Sequence, residues 1–269
     1  MTPGTKLATT LCVDVGSTFT KGLLVDDATG AILGRASHRT TIESDVMDGL
    51  EAVRAELGAV GTELGAVAVG RTLVCSSAGG GLRLAVVGYE RQVTAEAGHR
   101  VGLSAGARVC HVAAGPLTGA DVAALRASRP DIILLVGGTD GGNAEVLRHN
   151  AARLAAARVK APVVVAGNAA VADEVVATLR ATNRTVRAVA NVLPRIGVVN
   201  PEPAREAIRA TFLEHVIGGK RLSRGRGFAE LVRAATPDAV LSGVEVLAGA
   251  VAGDVMVIDI GGATTDVYS

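Results

Sequence analysis

The chain has 269 residues, a formal net charge of +1 and a 49% hydrophobic composition, enough for one large domain or two interleaved ones. The balanced charge, the absence of Trp and the presence of only two Tyr and three Phe argue against nucleic-acid binding, which needs a basic field and stacking surfaces. No apolar run approaches the roughly 20 residues that cross a bilayer, and Met1 to Thr10 lacks the apolar centre of a secretory signal, so a cytoplasmic protein away from membranes is expected.

Leu11 to Val15, Thr18 to Val25 and Ala31 to Arg39 read as strands of a hairpin meander, with Asp26 to Gly30 supplying turn residues between the latter two. Asp45 is a candidate cap for a helix reaching about Leu57, in which Met47, Leu50, Val53 and Leu57 recur at helical spacing. A strand near Ala66 to Ser76 follows. Beyond Gly79-Gly80-Gly81, short β-rich runs at 82–88, 108–114, 132–136, 162–166 and 186–190 alternate with Ala-rich helices near 95–103, 118–127, 143–157 and 169–181. That alternation predicts βα units on a parallel sheet. From Pro201 to about Thr236 the sequence reads as helix, a basic loop at Gly218 to Gly227, and helix again. Val240 to Ala250 continues helically, and Val255 to Ile260 is the last strand.

Cys12, Cys75 and Cys110 are dispersed and read as strand thiols. His38, His99, His111, His149 and His215 form no ligand pair on one helical face, so a protein-ligated zinc is not expected.

Asp14-Val-Gly16-Ser17-Thr18-Phe-Thr20-Lys21 lies between two apolar strands, at the tip of a predicted hairpin. Gly16 allows close backbone approach to an anion, and Ser17 and Thr18 offer amide and hydroxyl donors. Asp14 can hold magnesium through water. Lys21 either adds positive charge there or points to solvent. Asp259-Ile-Gly261-Gly262-Ala-Thr264-Thr265-Asp266 repeats the order of acid, glycine and hydroxyls after a second apolar run, with Asp259 as a second magnesium candidate. One such loop alone is weak, because glycine turns after strands are common. A third constellation, the strand Asp131 to Val136 followed by Gly137-Gly138-Thr139-Asp140-Gly-Gly-Asn143, presents amides at a helix start or forms a tight β-to-α turn; it is not the dinucleotide fingerprint.

The first two loops together resemble the phosphate-1 and phosphate-2 loops of the actin/Hsp70/acetate-and-sugar-kinase superfamily. Leu-Val-Gly-Gly-Thr-Asp-Gly-Gly-Asn, Cys75-Ser-Ser-Ala-Gly-Gly-Gly-Leu and Asp259-Ile-Gly-Gly-Ala-Thr-Thr-Asp-Val-Tyr are similar to segments of the glutamate mutase MutL (GlmL) family, from about Cys12 to Ser269. That family is distinct from the mismatch-repair protein of the same name. The resemblance implies an α/β fold: a ribonuclease H-like, actin/Hsp70-type lobe I with an inserted doubly wound parallel α/β domain. Its boundaries are expected at 1–75 plus 236–269 for the lobe and 76–235 for the insertion. Lobe II is expected to be largely absent, as in an N-terminal fragment with poor nucleotide affinity.

The same resemblance implies ATP or ADP with magnesium as ligands, cobalamin-dependent mutase subunits as partners, and an ATP-dependent reactivating chaperone as function. No Asp-x-His-x-x-Gly stretch occurs, so cobalamin itself is not an expected ligand. Two alternatives stay open. One is a small-molecule kinase of the same fold, for which Asp140 and Glu145 are available acids. The other is a non-enzymatic mutase-docking module.

Overall fold

The computed structural model describes residues 8–63, 69–90, 95–157, 159–218, 222–225, 227–262 and 265–269. The chain divides into two compact units, Met1–Gly81 with Ile217–Ser269, and Leu82–Val216. It is a mixed α/β protein with parallel pairing in both units. Among the described residues no helix is long and apolar enough to cross a membrane.

The first unit opens with the predicted meander, β1 (Thr9–Val15), β2 (Phe19–Asp26) and β3 (Ile32–Arg39), paired antiparallel. The turn between β2 and β3 closes because the Asp26 carboxylate accepts from the Ala28 amide and the Thr29 hydroxyl, each at 2.9 Å, and Gly30 takes φ +72°. Strand alternation puts Leu11, Val13 and Val15 on one face of β1. That face meets α1 (Val46–Glu63), whose Val46, Leu50, Val53 and Leu57 are fully buried. Gly22 makes the fit possible, since a Cβ there would overlap the Val53 side chain. Asp45 starts α1 as expected, accepting from the Met47 amide at 2.9 Å. Its other oxygen accepts from Ser223 Oγ and the Arg224 amide, and these bonds hold the carboxyl below the usual carboxylate range, the Arg224 amide most of all. β4 (Val69–Ser76) then pairs parallel to β1.

The second unit contains β5 (Leu82–Gly88), α2 (Glu96–Ser104), β6 (Ala107–Ala114), α3 (Gly119–Ala127), β7 (Ile132–Leu135), α4 (Glu145–Ala157), β8 (Val163–Val165), α5 (Ala172–Arg180), β9 (Val186–Ala188) and α6 (Glu202–Thr211). Its strands are all parallel in the order β6-β5-β7-β8-β9, the 2-1-3-4-5 order of a doubly wound sheet. Ile133, Leu135, Val163 and Val165 face a core shared with α3, α4 and α5. On the other face α2 lies close, because Cβ atoms at Gly98 and Gly102 would press on Val86 and Leu84. α3 starts with a capping box of Thr118 and Asp121.

The chain then returns to the first unit through α7 (Gly227–Leu231), β10 (Val232–Ala235), α8 (Thr236–Ala250) and the hairpin β11 (Val257–Ile260) and β12 (Thr265–Tyr268). Val232–Ala235, within the segment expected to be helical up to about Thr236, is a strand that pairs parallel to β4 and completes the sheet β10-β4-β1-β2-β3. Edge pairing and the burial of Val232 and Ala235 outweigh weak helix propensity. The boundaries move with it: 76–81 and 217–235, expected in the insertion, belong to the first unit. Of the predicted strand near Ala66, residues 64–68 lie outside the described residues.

Candidate functional site

β1, β4 and β10 are adjacent and parallel, so their carboxyl ends open at one edge of the sheet, where α/β folds hold ligands. Asp14 stands one residue before the end of β1. The register places Lys21, Asp14, Cys75 and Ala234 in one row across four strands, on the face opposite α1. Lys21 is exposed, and with Asp14 it lines a hollow of about 820 Å³ on that face.

The turn after Asp14 is built tightly. The Gly16 amide donates to the Phe19 carbonyl at 3.0 Å, and a Cβ on Gly16 would stand 2.9 Å from that oxygen. Thr40 braces the turn from behind, its hydroxyl donating to the Gly16 carbonyl at 2.8 Å and its amide to the Thr18 carbonyl at 2.9 Å. With these bonds made behind the turn, the side chains of Ser17 and Thr18 are exposed at its tip. The segment after β4 wraps the end of β1: the Ser77 and Ala78 amides and the Ser76 hydroxyl all donate to the Val15 carbonyl. Gly79, Gly80 and Gly81 follow at φ +72°, +88° and +64°, a run of left-handed backbone that favours glycine at each position.

The C-terminal hairpin repeats this design. Asp259 is again the penultimate residue of its strand and pairs with Asp266, while Ile260 pairs with Thr265. Thr264 lies outside the described residues, and Gly261, Gly262 and Thr265 are exposed. The two turns meet, because a Cβ on Gly262 would collide with the Thr18 side chain. Asp14 and Asp259 line one cavity of about 360 Å³ with Cys75, Thr236, Val240 and Val257. Tyr268, on β12, has its phenol pushed up to about 12 by burial and then by the Asp266 and Asp259 carboxylates, so it is neutral at physiological pH.

Two further residues line this cavity: Cys75, expected from sequence only as a strand thiol, and Thr236, which was not singled out. Thr236 Oγ1 donates to Asp14 Oδ1 at 2.7 Å, and Cys75 Sγ donates to the same oxygen at 3.6 Å. Burial, and next the Asp14 charge, push the Cys75 thiol up to about 12, which keeps it a neutral donor. Asp14 Oδ2 is left on the Gly16 side. The donor set suits magnesium, which takes one or two carboxylates and keeps several waters.

The expected residues Gly137, Gly138, Thr139 and Asp140 lie in the second unit, in the turn after β7. Gly138 has φ +70° and Gly137 packs on Tyr89. The Asp140 carboxylate accepts from the Ala169 amide and Asn191 Nδ2, both at 2.9 Å, and Asn191 also donates to the Gly138 carbonyl at 2.9 Å. Asn168 accepts from the Gly141 amide and donates to the Gly142 carbonyl, each at 3.0 Å. Neither Asn168 nor Asn191 was singled out from sequence, since each reaches this turn from a distant loop.

The family model described as MutL protein matches residues 10–269. A curated relative, Protein MutL of Clostridium tetanomorphum, is 44% identical over 266 residues, covering 96% of this chain and 57% of the relative. The chain thus spans a little over half the length of that relative. A solved nucleotide-free structure of acetone carboxylase, described with the mechanism of ATP-dependent acetone carboxylation, aligns over 98% of this chain and 44% of its own with a TM-score of 0.43 and 17% identity. The match to nearly the whole sequence and the close curated relative settle the family: this chain belongs to the MutL protein family.

Proposed function

We propose that the first unit is an actin/Hsp70-type, ribonuclease H-like phosphate-binding lobe, and that the protein is an ATP-dependent reactivating chaperone for an adenosylcobalamin-dependent mutase of the glutamate mutase or aminomutase type. The observation that carries the reading is the convergence of two like hairpins, with Asp14 and Asp259 on one cavity and Gly262 against Thr18. In this reading Gly16, its own amide closed onto the Phe19 carbonyl, lets the turn approach the phosphate, and the amides and hydroxyls of Ser17, Thr18, Gly261, Gly262, Thr264 and Thr265 hold phosphate oxygens. Lys21 adds charge from the row beside Asp14. Asp14 and Asp259 orient the water shell of magnesium, which when bound neutralises phosphate charge. Each hairpin brings its own acid, so cleavage of the bridging phosphate changes what holds the two turns together, and the output is conformational.

The Gly137–Asp140 turn, expected from sequence among the nucleotide contacts, lies in the second unit, where the Asp140 carboxylate is engaged by Asn191 and Ala169. The same engagement disfavours Asp140 as the base of a small-molecule kinase. The second unit is assigned the mutase-binding role. In the test, inactivated glutamate mutase is incubated with the full-length protein and magnesium-ATP. Recovery of mutase activity that requires ATP and is lost in Asp14→Ala is expected; recovery independent of ATP, or none, contradicts the reading.

A further inference from the structure

Thr236 is the first residue of α8, yet its hydroxyl does not serve the helix, whose N-cap position is Ala235 with no side-chain cap bond. Instead it reaches back 222 residues in sequence to Asp14. A register shift in β10 makes this reach possible. Val232 pairs with Val74, but Ala234, not Arg233, pairs with Cys75. The extra residue switches the faces of β10 beyond it, because side chains alternate along a strand. Ala234 therefore joins the row of Cys75 and Asp14, and Thr236 follows at the strand end above that row. Val240, one turn further along α8, lines the same cavity.

Asp14 Oδ1 thus receives the Thr236 hydroxyl at 2.7 Å and the Cys75 thiol at 3.6 Å, while Oδ2 stays on the side of the Gly16 turn. A half-exposed carboxylate on a strand end otherwise rotates among several orientations. Two donors, one from the neighbouring strand β4 and one from the start of α8, fix one of them. We infer that Thr236, assisted by Cys75, is a positioning residue of the proposed nucleotide site: it occupies Asp14 Oδ1 so that Oδ2 alone is presented to the water shell of the cation. The inference rests on the nucleotide reading above.

The test is calorimetric titration of ATP into the full-length protein, with magnesium and with EDTA, for wild type, Asp14→Asn, Thr236→Val, Thr236→Ala and Thr236→Ser. A hydrogen bond to a charged group sets the expected scale at about tenfold. Both Thr236→Val and Thr236→Ala lose about tenfold of the magnesium-dependent gain in affinity, keep the affinity measured in EDTA, and are rescued by Thr236→Ser. If wild type and Asp14→Asn differ as the nucleotide reading requires but Thr236→Val and Thr236→Ala retain the full magnesium gain, the positioning role is wrong and the site reading survives. An equal loss in EDTA assigns Thr236 a structural role and overturns the inference. A wild type that gains nothing from magnesium overturns both.

Discussion

Cys75 shows how far burial reshapes one side chain at this site. Its thiol lies against the Asp14 carboxylate within the sheet and is pushed from 9.0 up to about 12, first by burial and next by that charge. The folded pKa lies above the unfolded one, so the stability this contributes is complete below pH 9 and is lost as pH rises from about 9 to about 12. Cys75→Ala is expected to flatten that part of the alkaline stability curve, measured by urea unfolding at pH 8 to 11. In native protein Cys75 is expected to resist Ellman's reagent at pH 8 and to react once unfolded; prompt native labelling would contradict its neutral, half-buried state. Asp14 itself was legible from its motif, because acid, glycine and hydroxyls sit within five residues. Its partners were not, since Cys75 and Thr236 lie 61 and 222 residues away and only strand pairing brings them near.

At the scale of elements, the two acid-bearing hairpins share a plan but not a surrounding. The turn after β1 is braced by Thr40 and by the wrap of Ser76 to Ala78 around Val15, whereas the turn after β11 meets its partner through Gly262 and Thr18. Gly262 is exposed and is not in the left-handed region, so alanine is tolerated by the backbone itself. Its methyl group, however, runs into Thr18. Gly262→Ala is therefore expected to weaken magnesium-ATP binding by about tenfold, in line with the cost of overpacking one contact, while Tm moves by less than about 2 °C. Calorimetry and a thermal melt check both halves; a large fall in Tm with unchanged affinity would place Gly262 in the scaffold instead. The meander and the capped helix were legible because Asp26 to Gly30 and Asp45 carry their turn and cap chemistry locally. β10 was not, because Val-Arg-Ala-Ala has no alternation of its own and is made a strand by the free edge of β4.

Across the whole molecule, two units divide the sequence unequally in legibility. The parallel sheet of the second unit was readable as a class, since βα alternation with fully apolar strands such as Ile132–Leu135 has few other outcomes. Its strand order was not, because order depends on which strands meet across helices of similar composition. The Gly137 to Asn143 turn illustrates the same limit: its glycines were legible, whereas the bonds it makes with Asn168, Asn191 and the Ala169 amide were not. The central claim is the convergence of Asp14 and Asp259 on one phosphate-binding cavity. The most direct test is calorimetric titration of magnesium-ATP and magnesium-ADP into the full-length protein and its Asp14→Ala, Asp259→Ala double variant. The account predicts saturable binding by the wild type and loss of at least a hundredfold in the double variant, the combined effect of removing two carboxylates from one cation shell. Equal binding by both proteins, or binding by neither, would contradict it.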